Sequence, residues 1–127
     1  MSMSDLIERL EAAGIPIDDL AKSAMIDIDP GHFTDYDLEV FWHDRPIPFL
    51  FTGFGATRTI SAPHMIATLL HHLEINEGQD IMLIGSKGGY LAAIIDRMVG
   101  EEGTVTIVEP HEEVRFHTED RLSLIHI

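Results

Sequence analysis

Residues 80–109 read DIMLIGSKGGYLAAIIDRMVGEEGTVTIVE, and this stretch decides the fold. Residues 80–84 form a short apolar run that ends in glycines, as a buried strand does, and residues 89–99 carry apolar side chains at helical spacing. After a turn at 101–103, residues 104–108 alternate β-branched side chains, which predicts a second strand. A strand, a helix and a strand in this order form a βαβ unit, and its right-handed crossover makes the two strands parallel. We therefore expect an α/β fold with a doubly wound parallel sheet.

The glycine-rich loop after the first predicted strand is the strongest local sign of a ligand site. Residues 85–89 read GSKGG, and such a loop lets the backbone approach a ligand beside the free N–H groups of the next helix. Glu109 closes the second strand 24 residues after Gly85, near the separation of about 20 at which an acid accepts both hydroxyls of a ribose. The pattern is neither the G-x-G-x-x-G of NAD sites nor a P-loop. A tight turn followed by a surface glutamate is the structural alternative.

Outward from this unit, the N-terminal part is predicted to be helical and then irregular. Residues 4–13 form an amphipathic helix that stops at Gly14, and a second helix runs from about 18 to 25. Residues 32–54 are aromatic and interrupted by proline, so we expect loops and short extended pieces there. A longer helix is expected over residues 62–75. The aromatic side chains expected to pack against a core are Phe33, Phe41, Trp42, Phe49 and Phe51. The apolar residues that recur at helical spacing on the longer helix are Met65, Ile66, Leu69, Leu70 and Leu73.

Composition restricts the classes of function. The 127 residues include no Cys, which excludes a disulfide scaffold, a thiolate nucleophile and a cysteine-bound metal. The 22 acidic residues outnumber the 8 Lys and Arg, and the net charge of −14 is spread evenly, so we expect no nucleic-acid partner. His71 and His72 are adjacent, and no H-x-x-x-H pair exists, so no zinc site is predicted. No apolar run could cross a membrane and the first residues do not read as a secretory signal, so the expected location is the cytoplasm.

The end of the chain suggests that the domain is incomplete. Two predicted parallel strands are too few for a stable sheet, because parallel sheets are normally wide and covered on both faces. The chain stops after Arg121 at LSLIHI, with no cap, turn or polar tail. We therefore expect the front portion of a longer protein, with last residues that are not native sequence. We expect the fragment alone to be inactive and the full-length protein to be a monomer.

A second motif lies just upstream of the glycine loop. Residues 57–65 read TRTISAPHM, the longer helix and the glycine loop follow, and residues 97–105 read RMVGEEGTV. Together these stretches resemble the protein-L-isoaspartate O-methyltransferase family, over nearly the whole chain. The resemblance implies a Rossmann-like class I methyltransferase fold, truncated after the second strand and the start of the following helix. Residues 1–60 would be a helical and irregular segment on the substrate side, and residues 61–127 the first βαβ part of an incomplete S-adenosylmethionine-binding domain.

The resemblance also implies roles for individual residues. Ser61 corresponds to the active-site serine of the family and would hold the α-carboxylate of an isoaspartyl residue, with His64 beside it on the substrate side. Thr59, Ile60, Gly85, Ser86, Lys87, Gly88, Gly89 and Glu109 would bind the cofactor, S-adenosylmethionine, with its ribose on Glu109. Ser61 and His64 each have a structural alternative. Ser61 is also a good helix N-cap, and His64 could have a structural role only.

The reaction that the resemblance implies needs none of the catalytic groups that are missing from the sequence. The family methylates isoaspartyl α-carboxylates in damaged peptides and proteins, and the ester collapses to a succinimide that can reopen as aspartate, which is protein repair. A carboxylate is already ionised at neutral pH, so the reaction needs no Cys, no Ser–His pair and no metal. The chain departs from the family at Leu83, where an acid is usual, and at Lys87, where a glycine is usual. The alternative is a non-catalytic, methyltransferase-like binding module with a degraded cofactor loop; transfer to tRNA is disfavoured by the lack of a basic surface.

Overall fold

The computed structural model describes residues 1–53 and 55–123. The helices are α1 (Met3–Ala12), α2 (Asp19–Asp27), α3 (Glu39–Trp42), α4 (Pro63–Leu73), α5 (Tyr90–Val99) and α6 (Glu112–Ser123). The strands are β1 (Ile47–Phe51), β2 (Thr57–Ile60), β3 (Asp80–Ile84) and β4 (Thr104–Val108), and single 3₁₀ turns lie at Pro30–His32 and Lys87–Gly89. None of these helices is long and apolar enough to cross a membrane. The expectation for the chain end falls mostly on residues 124–127, which lie outside the described part, as does Phe54.

The predicted βαβ unit is confirmed. β3 and β4 are parallel neighbours in continuous register, with residues 80–84 opposite residues 104–108, and α5 connects them. The return turn after α5 needs glycine at position 103, because a Cβ there would lie only 2.5 Å from the Cβ of Val99. The chain is thus an α/β protein in which helices pack on a parallel pair of strands.

The parallel pair is covered on one face only within the described residues. Ile81, Leu83 and Val105 pack against the core. Met82 and Ile84 point to the opposite face and are 64% and 82% exposed. This alternation is the period-two pattern of a strand, so the exposed side chains follow directly from the buried ones. The coverage of both faces that a doubly wound sheet implies is not present in this part of the chain.

Two of the five apolar side chains that recur at helical spacing on α4 are buried. Ile66 and Leu70 are buried, whereas Met65, Leu69 and Leu73 are exposed. The cause is that apolar residues cover more of the helix circumference than the face in contact with the core. Met65 and Leu69 instead line a cavity beside β3, described below.

β1 and β2 form an antiparallel pair that the irregular interpretation of residues 32–54 did not include. Residues 47–51 lie opposite residues 57–60, with a bulge between Pro48 and Leu50. Proline has no N–H to donate and is confined to edge strands and bulges, so a segment that contains proline is not readily predicted as a strand from sequence. The short extended piece expected there is therefore half of a hairpin, and the hairpin carries the TRTISAPHM motif toward α4.

The core joins the N-terminal helices to the βαβ unit in one continuous cluster of buried side chains. Phe33, Phe41 and Phe49 are buried as predicted. The rings of Phe33 and Phe41 lie 5.8 and 5.9 Å from the ring of Tyr90, the first residue of α5. Burial raises the pKa of Tyr90, and the phenol is therefore neutral. The aromatic segment thus fixes the start of the helix that follows the glycine loop.

Two aromatic side chains are less buried than predicted. Trp42 is half-buried and packs against the edge of the core. Phe51 is 52% exposed, because it ends β1 and its ring meets the exposed ring of Tyr36 at 5.3 Å instead of the core. The prediction of a core position is wrong for Phe51.

Candidate functional site

The loop between β3 and α5 has a backbone that depends on glycine. Gly85, Gly88 and Gly89 have φ values of 92°, 81° and 98°, in the region that side chains with a Cβ rarely adopt. A Cβ at position 88 would also lie 3.1 Å from the ring of Phe49 on β1, so the loop is packed closely against the hairpin. Gly89 is the N-cap of α5. The loop therefore brings the N-terminus of α5 next to the carboxyl ends of the two parallel strands.

The Glu109 carboxylate is fixed directly after β4. Its Oε1 accepts hydrogen bonds from the backbone N–H of Ser86 at 2.8 Å and from the Ser86 hydroxyl at 3.0 Å, and Oε2 accepts from the N–H of His111 at 3.0 Å. Burial raises the pKa of Glu109, but these donors and nearby Arg58 outweigh it and hold the pKa below its usual value. Glu109 is therefore an oriented anion that ties the glycine loop to the end of β4.

A buried hydroxyl pair extends this network to α6. Oγ1 of Thr118 lies 2.7 Å from Oγ of Ser86 and 2.9 Å from the carbonyl oxygen of Val114, and both Ser86 and Thr118 are buried. The Ser86 side chain, predicted to bind a cofactor, is thus engaged in positioning Glu109. Sequence reasoning missed Thr118, and the one available signal was its spacing of four from Val114, which puts both on one helix face.

Ser61 lies in a cavity of about 350 Å³ between α4 and the glycine loop, here called the first cavity. Its wall is mainly apolar, and it includes Ile60, Ser61, Met65, Leu69, Leu83, Gly85 and Lys87. Ala62, not Ser61, is the N-cap of α4, so the N-cap alternative for Ser61 is wrong. Within the described residues the Ser61 hydroxyl has no hydrogen bond, which leaves it free for a ligand.

Asp44 supplies the missing cap from another segment. Its Oδ1 accepts a hydrogen bond from the backbone N–H of His64 at 2.7 Å, and its Oδ2 lies 2.9 Å from Nδ1 of the His64 ring. His64 shares a shallow surface cavity with Ser61 but lines neither the first cavity nor the second, described next. Its contacts with Asp44 match the structural alternative, and its place beside Ser61 keeps the substrate-side prediction open.

A second cavity of about 380 Å³ lies on the other side of the glycine loop. Its wall includes Phe49, Arg58, Thr59, Gly85, Lys87 and Glu109. Gly85 and Lys87 belong to both cavities, which therefore meet at the loop. Thr59 lines the second cavity and Ile60 the first, whereas Gly88 and Gly89 are buried behind the loop and line neither. The structure thus brings most of the predicted site residues to one place and uses the last two glycines for packing.

The described residues contain no group of three or more His, Asp or Glu side chains that could hold a metal ion. The polar groups around the two cavities are the hydroxyls of Ser61, Ser86, Thr57 and Thr59, one carboxylate, two cations and backbone amides. Such a set can orient an anion and a ribose, but it includes no paired nucleophile and base.

Comparisons with known proteins point to one family. The family model described as Protein-L-isoaspartate(D-aspartate) O-methyltransferase matches residues 1–127. Among curated relatives named protein-L-isoaspartate O-methyltransferase, that of Fervidobacterium nodosum is 34% identical over 105 residues, which cover 82% of this chain and 50% of the relative. That of Ignicoccus hospitalis is 31% identical over 122 residues, which cover 95% of this chain and 56% of the relative. The chain spans about half the length of these relatives.

Two solved structures have a similar fold. A protein-L-isoaspartate O-methyltransferase matches with a TM-score of 0.85 and 24% identity, over 98% of this chain and 39% of the other. A Plasmodium falciparum structure described as a β-aspartate methyltransferase, in complex with S-adenosyl-L-homocysteine, matches with a TM-score of 0.79 and 25% identity. That match covers 98% of this chain and 56% of the other.

Proposed function

Because the chain belongs to the protein-L-isoaspartate O-methyltransferase family, we propose that it serves S-adenosylmethionine-dependent methylation of the α-carboxylate of L-isoaspartyl residues in damaged proteins. One observation carries the proposal: the unbonded hydroxyl of Ser61 lines the same cavity as Gly85 and Lys87 of the glycine loop. A hydroxyl in this position can donate to a carboxylate that approaches the loop. Residues 1–60 would then supply the substrate side, and residues 61–127 the first part of the cofactor-binding domain.

The residues around the second cavity fit the cofactor. A carboxylate has about four acceptor sites, and the described residues donate to three of those on Glu109, so Oε2 can still accept from a ribose hydroxyl. Thr59, Gly85 and Lys87 complete the wall on the side toward Ser61. S-adenosylmethionine, when bound, supplies a methyl group that is already electrophilic on its sulfonium sulfur. The protein has no need to activate either reactant, and its work is to hold them in place.

The residues around Ser61 would orient the isoaspartyl carboxylate and would not need to activate it. An isoaspartyl α-carboxylate is ionised at neutral pH. A hydrogen bond from Ser61 to one carboxylate oxygen would fix the direction of the other oxygen, and correct alignment of two reactants contributes about 7–11 kcal/mol to a reaction of this kind. The net charge of −14 repels an acidic substrate, so local donors at Ser61 and at the start of α4 are needed to accept one.

We further propose that the protein acts in the cytoplasm as a monomer on isoaspartyl peptides and proteins, and not on nucleic acid. The charge distribution supports the proposal that the protein does not act on nucleic acid. With 8 Lys and Arg against 22 Asp and Glu, the chain offers no cationic stripe that could neutralise a phosphate backbone.

The proposal is tested on the full-length protein by calorimetric titration with S-adenosylhomocysteine and by methyl transfer to an isoaspartyl peptide. Ser61→Ala is expected to lower turnover by about 10- to 100-fold, the worth of one hydrogen bond to a charged group. The melting temperature should hardly change, because the Ser61 hydroxyl makes no hydrogen bond to any residue that the structure describes and does not cap α4. Ser23→Ala, at an exposed position on α2, is the matched control and should change neither quantity.

Four results would contradict the proposal. Wild-type turnover in Ser61→Ala would remove Ser61 from the site, and a fall in melting temperature with turnover intact would leave it only a structural role. A folded protein that gives no heat with millimolar S-adenosylhomocysteine would favour the non-catalytic binding module instead. Transfer to tRNA in place of the peptide would refute the assigned substrate class.

A further inference from the structure

Three of the eight Lys and Arg side chains make no hydrogen bond or ion pair within the described residues. Five are bound: Lys22 to Glu11, Arg97 to Asp27, Arg115 to Glu119, Arg121 to Asp35, and Arg9 to the carbonyl of Trp42. The remaining three are Arg45, Arg58 and Lys87. Arg58 and Lys87 both line the second cavity, and Lys87 also lines the first. Arg58 acts electrostatically on Glu109, whereas Lys87 has no acidic partner within the described residues. In so acidic a chain, an unpaired cation between two cavities marks a place for an anion.

The backbone at Lys87 is an independent observation. Its φ is 46°, the left-handed region in which a residue with a Cβ is strained, while glycines occupy the neighbouring positive-φ positions. Strained backbone of this kind is concentrated at active sites and ligand-binding segments. Lys87 is exposed, so packing of its side chain does not account for its presence.

The position of Lys87 indicates what kind of anion it meets. Glu109 occupies the wall of the second cavity together with Arg58, and no other acidic side chain lines either cavity in the described part. An anion would be repelled from Glu109 and attracted to the loop, where both cavities share Lys87. Both ligands of the proposed reaction carry a carboxylate: the amino-acid end of the cofactor and the isoaspartyl acceptor.

We propose that Lys87 is a carboxylate-binding residue at the junction of the two cavities, where it pairs with the amino-acid carboxylate of the cofactor or with that of the acceptor. The inference rests on the proposed function and adds a specific ionic contact to it. The loop therefore contributes a charged side chain as well as backbone, so that Lys87 positions a ligand that the overall charge of the protein repels.

The test compares ligands with and without the carboxylate by titration calorimetry. Lys87→Met is expected to weaken binding of S-adenosylhomocysteine by about tenfold or more and to leave binding of methylthioadenosine, which lacks the amino-acid end, unchanged. Lys87→Arg should retain most of the affinity. Lys87→Gly should behave as Lys87→Met while relieving the backbone strain, so a loss of binding there cannot be attributed to misfolding. Lys22→Met, which removes a lysine charge on α2, is the control and should change no affinity.

The outcomes separate the two sources of the carboxylate. If Lys87→Met leaves both nucleosides unaffected but weakens an isoaspartyl peptide relative to the same peptide with its α-carboxyl amidated, the partner is the acceptor. Equal weakening of S-adenosylhomocysteine and methylthioadenosine, or no change for any ligand, would overturn the inference while leaving the proposed function intact. A wild-type protein that binds neither nucleoside would refute the proposed function itself, and with it this inference.

Discussion

At the start of α4, Asp44 caps the helix, and we propose that Ser61 binds the substrate. Asp44 lies 20 residues before His64 in the sequence, yet its carboxylate accepts the N–H that a local cap would normally satisfy. Asp44 holds a φ of 62°, a conformation that Asp tolerates better than most residues. A cap that comes from a distant segment releases the Ser61 hydroxyl, so the binding role proposed for Ser61 depends on Asp44.

Substitution of Asp44 tests this dependence. Asp44→Ala is expected to lower the free energy of unfolding by about 0.5–2 kcal/mol, because the first turn of α4 loses its cap. Asp44→Asn should lose less, since an amide oxygen can still accept from His64 and Asn also tolerates a positive φ. Urea unfolding measures both variants. If the Ala and Asn variants were equally stable, the contact at 2.7 Å would not act as a cap.

At the scale of elements, α6 connects parts of the molecule that are far apart in the sequence. Thr118 meets Ser86 in the glycine loop, Nε2 of His117 lies 2.9 Å from the carbonyl oxygen of Phe33, and Arg121 pairs with Asp35 at 2.8 Å. Of the contacts made by Thr118, His117 and Arg121, the one through Thr118 is fully buried. This element therefore supports the loop from behind while its exposed face carries acidic residues.

Thr118→Val tests how strongly α6 supports the loop. The change keeps the shape of the side chain but removes the hydroxyl, so we expect a loss of about 1 kcal/mol in the free energy of unfolding. Thr106→Val, at an exposed position on β4, is the matched control and should cost nothing, because valine is favoured in strands. Thermal or urea unfolding provides the measurement. Equal stability of Thr118→Val and the wild type would show that the hydroxyl pair contributes nothing.

At the scale of the whole molecule, charge is the dominant property. A net charge of −14 on 127 residues gives a self-repulsion that opposes the compact state. Added salt shortens the screening length from about 30 Å at 0.01 M to about 3 Å at 1 M, so the repulsion between distant surface charges disappears. The stability of the protein should therefore depend on ionic strength.

We expect the urea midpoint of unfolding to be higher in 1 M than in 0.01 M sodium chloride, because the Debye length is about tenfold shorter at the higher concentration. The double change Glu101→Gln and Glu102→Gln, in the exposed turn before β4, lowers the repulsion and should make the rise smaller. A midpoint that falls with salt would mean that attractive ion pairs such as Arg97 with Asp27 outweigh the repulsion.

The sequence by itself determined the βαβ unit, the glycine loop and the acid at position 109. These features depend on the order and spacing of neighbouring residues, and local spacing sets the face of a strand, the winding of a helix and the position of a turn. The resemblance carried by residues 57–65 was readable for the same reason, and the family match over residues 1–127 agrees with it.

Only the tertiary structure decided which of the candidate groups are free. Thr118 engages Ser86 across 32 residues, and Asp44 takes the capping role that the sequence offered to Ser61. The sequence did not predict β1 as a strand of a hairpin, because Pro48 interrupts its strand pattern. The exposure of Met65 and Leu69 depended on which face of α4 contacts the core. Each of these outcomes joins segments that are distant along the chain, so it follows from how the elements pack and not from the residues beside it.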